Sequence, residues 1–203
     1  MHPRLAAAGV NVPYTVLVSR EEAAAFQLTT DQRAQLGSPF VIKPALGYGR
    51  KGLVMDATDE RAIARSIEGF ANGHYLLQKK ITPRQLNGAP AYFRVFYVFG
   101  SIWCLWWNCF TDQYRVVTPQ EASDLELKPL DETVRQIAAL TGMTFFSSEI
   151  AQTETGEFVV IDYVNDQCHM LSQTASPQTG VPDDVVTAIA RRLVEGAKSL
   201  IGR

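Results

Sequence analysis

Lys43, Gly47, Gly49, Arg50, Lys51 and Gly52 stand within ten residues of one another. Residues of these types at this spacing suit phosphate. Glycines let backbone amides approach an anion closely, and lysine and arginine neutralise its charge. The apolar run Phe-Val-Ile before Lys43 and the run Leu-Val-Met after Gly52 both read as strands. Residues 39–54 are therefore a strand ending in a lysine, a glycine-rich loop that also holds Tyr48, and a second strand.

Three phosphate patterns fit this loop in part. Gly47, Gly49 and Gly52 satisfy G-x-G-x-x-G, but a dinucleotide-binding loop must open a helix whose N-terminus takes the pyrophosphate, and a strand follows here. Gly47 and Gly52 satisfy the first half of a P-loop, which then requires Lys and Ser/Thr where Leu53 and Val54 stand. The protein-kinase loop fits through Val54, yet its lysine comes after the loop and no H-R-D or D-F-G occurs downstream. A flap that covers phosphates, with Lys43 on the strand leading into it, is left. The plain alternative is a hairpin turn with surface cations.

Phosphate chemistry of this kind needs Mg²⁺, which is held by one or two carboxylates together with phosphate oxygens. Glu149 and Asp162 lie on the two arms of a hairpin near cross-strand level, so they can converge on one metal. Asn165 stands three residues beyond Asp162. Side chains alternate along a strand, so a bulge is needed to bring both to one side. An aspartate in the apolar run Phe-Val-Val-Ile-Asp-Tyr-Val is costly unless it is paired or binds a metal. The alternative is an exposed Asp162 paired with an arginine.

The elements that must position these groups are legible from period and caps. Helices are expected over 3–8, over 20–27 behind a Ser19/Glu22 capping box, near 30–36, over 59–70 behind Thr58, over 129–140 and over 183–200. Strands are expected over 14–18, 75–81, 145–153 and 158–164, with a hairpin of 92–99 and 102–109 and a short strand at 114–117. The polar stretch 84–90, with Gly88 and Pro90, is the best boundary between two lobes, 1–82 and 83–203. The element order is α+β with hairpins, not regular βαβ winding.

Bulk properties narrow the class. The 203 residues carry a net charge of −2, without a long run of one sign, which argues against a dedicated nucleic-acid binder. Apolar runs fall short of a membrane span, so no membrane partner is expected. Three cysteines without a CxxC suggest neither a disulfide framework nor a zinc site, and a reducing cytoplasm is the expected compartment.

With Lys43, the flap and Glu149, Asp162 and Asn165 in this order, the chain resembles the ATP-grasp superfamily. It is most similar to carboxylate–amine ligases of the RimK and glutathione synthetase type. The resemblance covers nearly the whole chain and implies two α+β lobes with ATP between antiparallel sheets. It gives Lys43 and the loop of Gly47, Tyr48, Gly49, Arg50, Lys51 and Gly52 to the nucleotide phosphates. It makes Gln78, Lys79, Lys80 and Ile81 the hinge, where backbone groups meet the adenine edge. Phe93-Arg94-Val95 resembles the family's D-x-R strand, so Arg94 meets the γ-phosphate or acyl phosphate, with Tyr92 and Phe93 replacing the acidic partner. Glu149, Asp162 and Asn165 become the metal ligands, in a motif one residue longer than the usual Glu-x-Asn.

The implied activity is an ATP- and Mg²⁺-dependent, ADP-forming ligase that activates a carboxylate as an acyl phosphate for an amine or similar nucleophile. Its partners would be small-molecule or peptide carboxylates and amines. The alternatives are a small-molecule kinase of the same fold and a non-catalytic ATP-binding module. The family's N-terminal domain and first phosphate lysine would lie upstream of Met1. On this resemblance the chain is either a domain of a longer protein, with an N-terminal domain or partner subunit still to be added, or a minimal ATP-grasp protein; a homodimer is a further alternative. Among the remaining residues, Trp103 and Trp107 should share one strand face and Trp106 the other. Arg115 is a candidate for a substrate carboxylate or an ordinary surface arginine.

Overall fold

A computed structural model describes residues 1–86, 88–165, 168 and 170–201, with the backbone course alone for 163–165. In chain order the elements are α1 (His2–Ala7), β1 (Thr15–Ser19), α2 (Thr30–Leu36), β2 (Phe40–Pro44), β3 (Val54–Ala57), a 3₁₀ turn (Glu60–Ala62) running into α3 (Ile63–Gly69), and β4 (His74–Gln78). They continue with β5 (Gln85–Leu86), β6 (Ala89–Pro90), β7 (Tyr92–Val98), β8 (Ser101–Trp107), β9 (Tyr114–Val116), α4 (Pro119–Asp124), α5 (Lys128–Thr141), β10 (Phe145–Gln152), β11 (Phe158–Asn165) and α6 (Asp183–Ile201). The chain divides into two compact units, Pro13–Ile81, and Met1–Val12 with Thr82–Arg203.

The unit Pro13–Ile81 is a four-stranded antiparallel sheet in the order β1-β4-β2-β3. Alternation along β2 buries Phe40, Ile42 and Pro44 on one face. Phe40 and Ile42 join Val16, Val18, Tyr75 and Leu77 in a core closed by Leu36 of α2 and Ile63 of α3. Thr29 and Gln32 form the capping box that starts α2. The helix expected over 20–27 is a set of turns instead. Ser19 and Glu22 do exchange the capping bonds, with Ser19 N donating to Glu22 Oε2 at 3.3 Å and Glu22 N donating to Ser19 Oγ at 3.2 Å. β4 also stops at Gln78, short of the expected Ile81. Asp59, not Thr58, caps the turn before α3.

The other unit holds a five-stranded antiparallel sheet in the order β11-β10-β7-β8-β9. One face packs Phe93, Val95, Phe146, Ile150 and Val160 against Leu130, Val134 and Ile137 of α5. Leu5 and Val10 complete that core, at 0% and 5% exposure. Residues 1–12, expected with the first lobe, thus belong here, because α5 offers the apolar surface that α1 needs. Arg4 donates to the Leu140 carbonyl at 2.9 Å and Gln136 to that of Ala8, tying the two helices together. The stretch expected as a boundary, 84–90, instead contains the β5–β6 pair, anchored by the Arg84 amide donating to Gln152 O at 2.8 Å.

On the opposite face, α6 brings Val185 and Ile189 onto Phe96, Val98 and Leu105. The same face at the other end of β7 carries Tyr92 and Arg94. α4 lacks a sequence expectation, although Thr118 and Glu121 form a full capping box. No helix among the described residues is long and apolar enough to cross a membrane.

Candidate functional site

In the unit Pro13–Ile81, Lys43 sits on the face of β2 opposite the core and pairs across the sheet with Leu76. The loop after it is built from turns, Lys51 N to Tyr48 O at 3.3 Å and Leu53 N to Arg50 O at 3.1 Å. Gly49, Arg50 and Gly52 have φ of 60°, 59° and 71°. Gly52 is further constrained by space, since a Cβ there would stand 2.7 Å from Ser66 O and 2.9 Å from Pro44 Cγ. α3 and the turn after it hold the loop's base: Ser66 Oγ donates to Gly52 O, and Asn72 Nδ2 donates to Leu46 O, both at 2.5 Å. Tyr48, 67% exposed, lies under the Lys51 ammonium, 4.6 Å from the ring centroid. The result is a loop with a fixed base and a polar, exposed tip.

The expected hinge divides into used and available groups. Gln78 is buried, its backbone lies between β1 and β2, and its Nε2 donates to Thr15 Oγ1 at 3.1 Å. The Lys79 amide donates to Tyr14 O at 2.8 Å. These contacts occupy the Gln78 side-chain amide and the Lys79 backbone amide. Among the described residues, no backbone bond engages the amides of Lys80 and Ile81.

In the other unit, Arg94, Glu149 and Asp162 lie in one cross-strand row on β7, β10 and β11. Between Ser147 opposite Asn165 and Glu149 opposite Asp162, two residues of β10 match three of β11. This is the bulge that the Asp162/Asn165 spacing requires, and it returns both backbone positions to the Glu149 side of the sheet. The Asn165 side chain lies outside the described residues. Arg94 Nη1 donates to Glu149 Oε1 in a pair that is largely buried, with side-chain exposures of 10% and 17%. The Arg94 guanidinium also lies over Trp107, 5.3 Å from the ring centroid, and Tyr92 meets the same indole edge-on.

Charge at this row is strongly coupled. Burial opposes the Arg94 cation, but Glu149, Tyr114, Asp162 and Cys168 favour it, and the net pKa moves up. Burial, with Glu149 adding, pushes the Tyr92 phenol well above its ordinary range. Burial also raises Tyr114, against the pull of Arg94. Both phenols therefore stay protonated as donors beside a fixed cation and two carboxylates.

The donor set suits a hard cation. Glu149 and Asp162 present carboxylate oxygens from facing positions, and Mg²⁺ takes one or two carboxylates, with phosphate oxygens and water completing its shell. No group of three or more His, Cys, Asp or Glu forms a metal cluster among the described residues.

The aromatic and arginine side chains around the row divide between expected and unexpected contacts. Trp107 supports Arg94, which strand alternation could have suggested. Trp106, on the opposite sheet face as its place in the strand led one to expect, packs on Phe93. Arg115, the candidate for a substrate carboxylate, is held by both oxygens of Glu121 at 2.9 and 2.7 Å.

No protein-family model matches the chain, and no curated protein does. Solved structures do. A D-alanine–D-alanine ligase from Bacillus anthracis complexed with ATP aligns with a TM-score of 0.69 at 14% identity, covering 98% of this chain and 63% of that one. The ATP-grasp ligase PsnB, complexed with precursor peptide PsnA2 and AMPPNP, aligns at 0.58 and 15% identity, covering 95% and 56%. A RimK domain ATP-grasp protein from Sphaerobacter thermophilus aligns at 0.54 and 22% identity, covering 82% and 58%. The chain thus spans less than two thirds of the length of each. At these identities the likeness is one of fold.

Proposed function

We propose that this chain, whose fold is the ATP-grasp fold, carries the ATP- and Mg²⁺-dependent step of a carboxylate–amine ligase. Lys43 and the amides of 47–52 grip the nucleotide phosphates, and the amides of Lys80 and Ile81 meet the adenine edge. A substrate carboxylate oxygen attacks the γ-phosphorus, its bond to ADP breaks, and an acyl phosphate forms. An amine or similar nucleophile then attacks the acyl carbon, phosphate leaves, and the amine proton passes to solvent. Arg94 is the cation that meets charge on the transferring phosphoryl group. Glu149, Asp162 and Asn165 are the residues suited to hold magnesium, which supplies neutralisation of phosphate charge.

The observation that carries this reading is the row of Arg94, Glu149 and Asp162 across β7, β10 and β11, with a bulge in β11 that brings the backbone of position 165 to the same side. Two variants test it. Lys43→Ala should weaken ATP binding at least tenfold in a direct titration, and unchanged affinity would remove Lys43 from the phosphate site. Asp162→Asn should abolish magnesium-dependent ADP formation while the protein stays folded, and full turnover would remove it from the metal set. Identification of the product, an amide with free phosphate, separates a ligase from a kinase, which would leave a phosphoester.

A further inference from the structure

We infer that Trp107 is a positioning residue for Arg94: its indole face sets the plane of the guanidinium and so the direction in which the cation is presented. What the cation then meets rests on the ligase reading above, whereas the positioning itself does not.

Strand register puts the two residues within reach. Arg94 of β7 stands opposite Leu105 of β8, and Trp107 lies two residues further along the same face. Such diagonal neighbours are about 7–8 Å apart, a gap that long and aromatic side chains bridge. The Arg94 Cζ is 5.3 Å from the indole centroid, inside the roughly 6 Å reach of a cation–π contact. Each residue is 8% exposed, so little water competes for the cation, and desolvation strengthens such a contact.

The bond to Glu149 does not fix the plane by itself. Arg115 and Glu121 form two parallel bonds, which lock a guanidinium against a carboxylate. Arg94 instead reaches Glu149 through Nη1 alone, and a planar group can swing about one such bond. Its Nε is enclosed without an acceptor among the described residues, so that side does not hold the plane either. The indole does, because it meets the whole face of the group. The ring is in turn held from both strands that flank β8. Tyr92 of β7 meets it edge-on at 5.4 Å and 62°, and Tyr114 of β9 lies against it at 6.4 Å and 32°. Without the ring, attraction to Glu149 would dominate and draw the cation toward the carboxylate.

Side-chain ¹⁵N relaxation of the full chain reads this directly. The Arg94 Nε–H signal is assigned by its loss in Arg94→Lys. In the parent it should be rigid on the nanosecond scale. Trp107→Met fills the space without a ring face and should make it mobile, and Trp107→Phe, which keeps a face, should restore most of the rigidity. Glu149→Gln should leave it rigid, and this variant decides the matter if Trp107→Met fails to fold. An Arg94 that is mobile in the parent, stays rigid in Trp107→Met or is freed by Glu149→Gln overturns the proposal. ADP with aluminium fluoride, a mimic of the transferring phosphoryl group, then probes the chemistry. Its affinity should fall about tenfold in Trp107→Met, with that of ADP alone unchanged. Equal loss for both ligands, or for neither, would overturn the ring's part in the reaction. A rigid, ring-dependent Arg94 in a chain that binds neither ligand would keep the positioning and overturn the ligase reading.

Discussion

Arg94 and Glu149 are worth following as individual residues because each has two roles. They neutralise one another in a largely buried position, and they belong to the proposed chemistry. Removing one partner of such a pair strands the other charge, at a cost of about 3–5 kcal/mol. Arg94→Ala should therefore show a lowered urea midpoint as well as lost activity. Equal midpoints for the Arg94 variant and the parent would contradict the buried pair. Glu121 gives a pH-dependent case. Bonds from Arg115, then Thr118, hold its carboxyl down from 4.5 to about 2. A depressed folded-state value contributes stability above the unfolded value, and that contribution is lost as pH falls from about 4.5 through about 2. Glu121→Gln should flatten the fall in stability over that window, which denaturant melts at stepped pH would read.

At the scale of elements, two sequence signals of one kind led to different structures. Ser19/Glu22 and Thr118/Glu121 have the same S/T-x-x-E spacing and make the same reciprocal bonds. The second opens a helix, and the first opens only turns. Pro119 stands at the first helical position, with φ already suited to a helix, where the earlier segment has Arg20. The flap shows the reverse case, in which local sequence was nearly sufficient. Three glycines and a preceding strand identified a tight loop, but its anchoring through Ser66 and Gly69 of α3 and Asn72 beyond it was not visible. Gly52→Ala should misplace that base, since a Cβ would meet a backbone oxygen at 2.7 Å at a φ that disfavours any side chain. The expected outcome is a loss of ATP affinity with faster hydrogen exchange confined to the loop and α3. Unchanged exchange there would show that the base tolerates a side chain.

Over the whole molecule, two cores form from different pieces of chain. One is continuous in sequence, Pro13–Ile81, and the other is assembled from both ends. Its dependence on the first twelve residues is testable through Leu5, which is fully buried against α5. Leu5→Ala should cost about 2–5 kcal/mol, with exchange accelerated in α5 and β10 and unaltered in β1 and β4. Uniform acceleration in both units would contradict separate cores.

The sequence by itself determined most of the element types, the glycine loop with the lysine that precedes it, and the candidate carboxylates. Those features rest on local period, on glycine's freedom near backbone and on the cost of an aspartate in an apolar strand. Tertiary structure alone decided which residues meet. Strand register across β7, β10 and β11 set Arg94 level with Glu149 and Asp162, and the bulge in β11 brought the backbone of position 165 back to their side. It also paired Arg115 with Glu121 and laid Arg94 over Trp107. Partners in a sheet are distant in sequence, and one residue of slippage turns every side chain to the opposite face. Register is a property of the assembled sheet, and no spacing within a single strand specifies it.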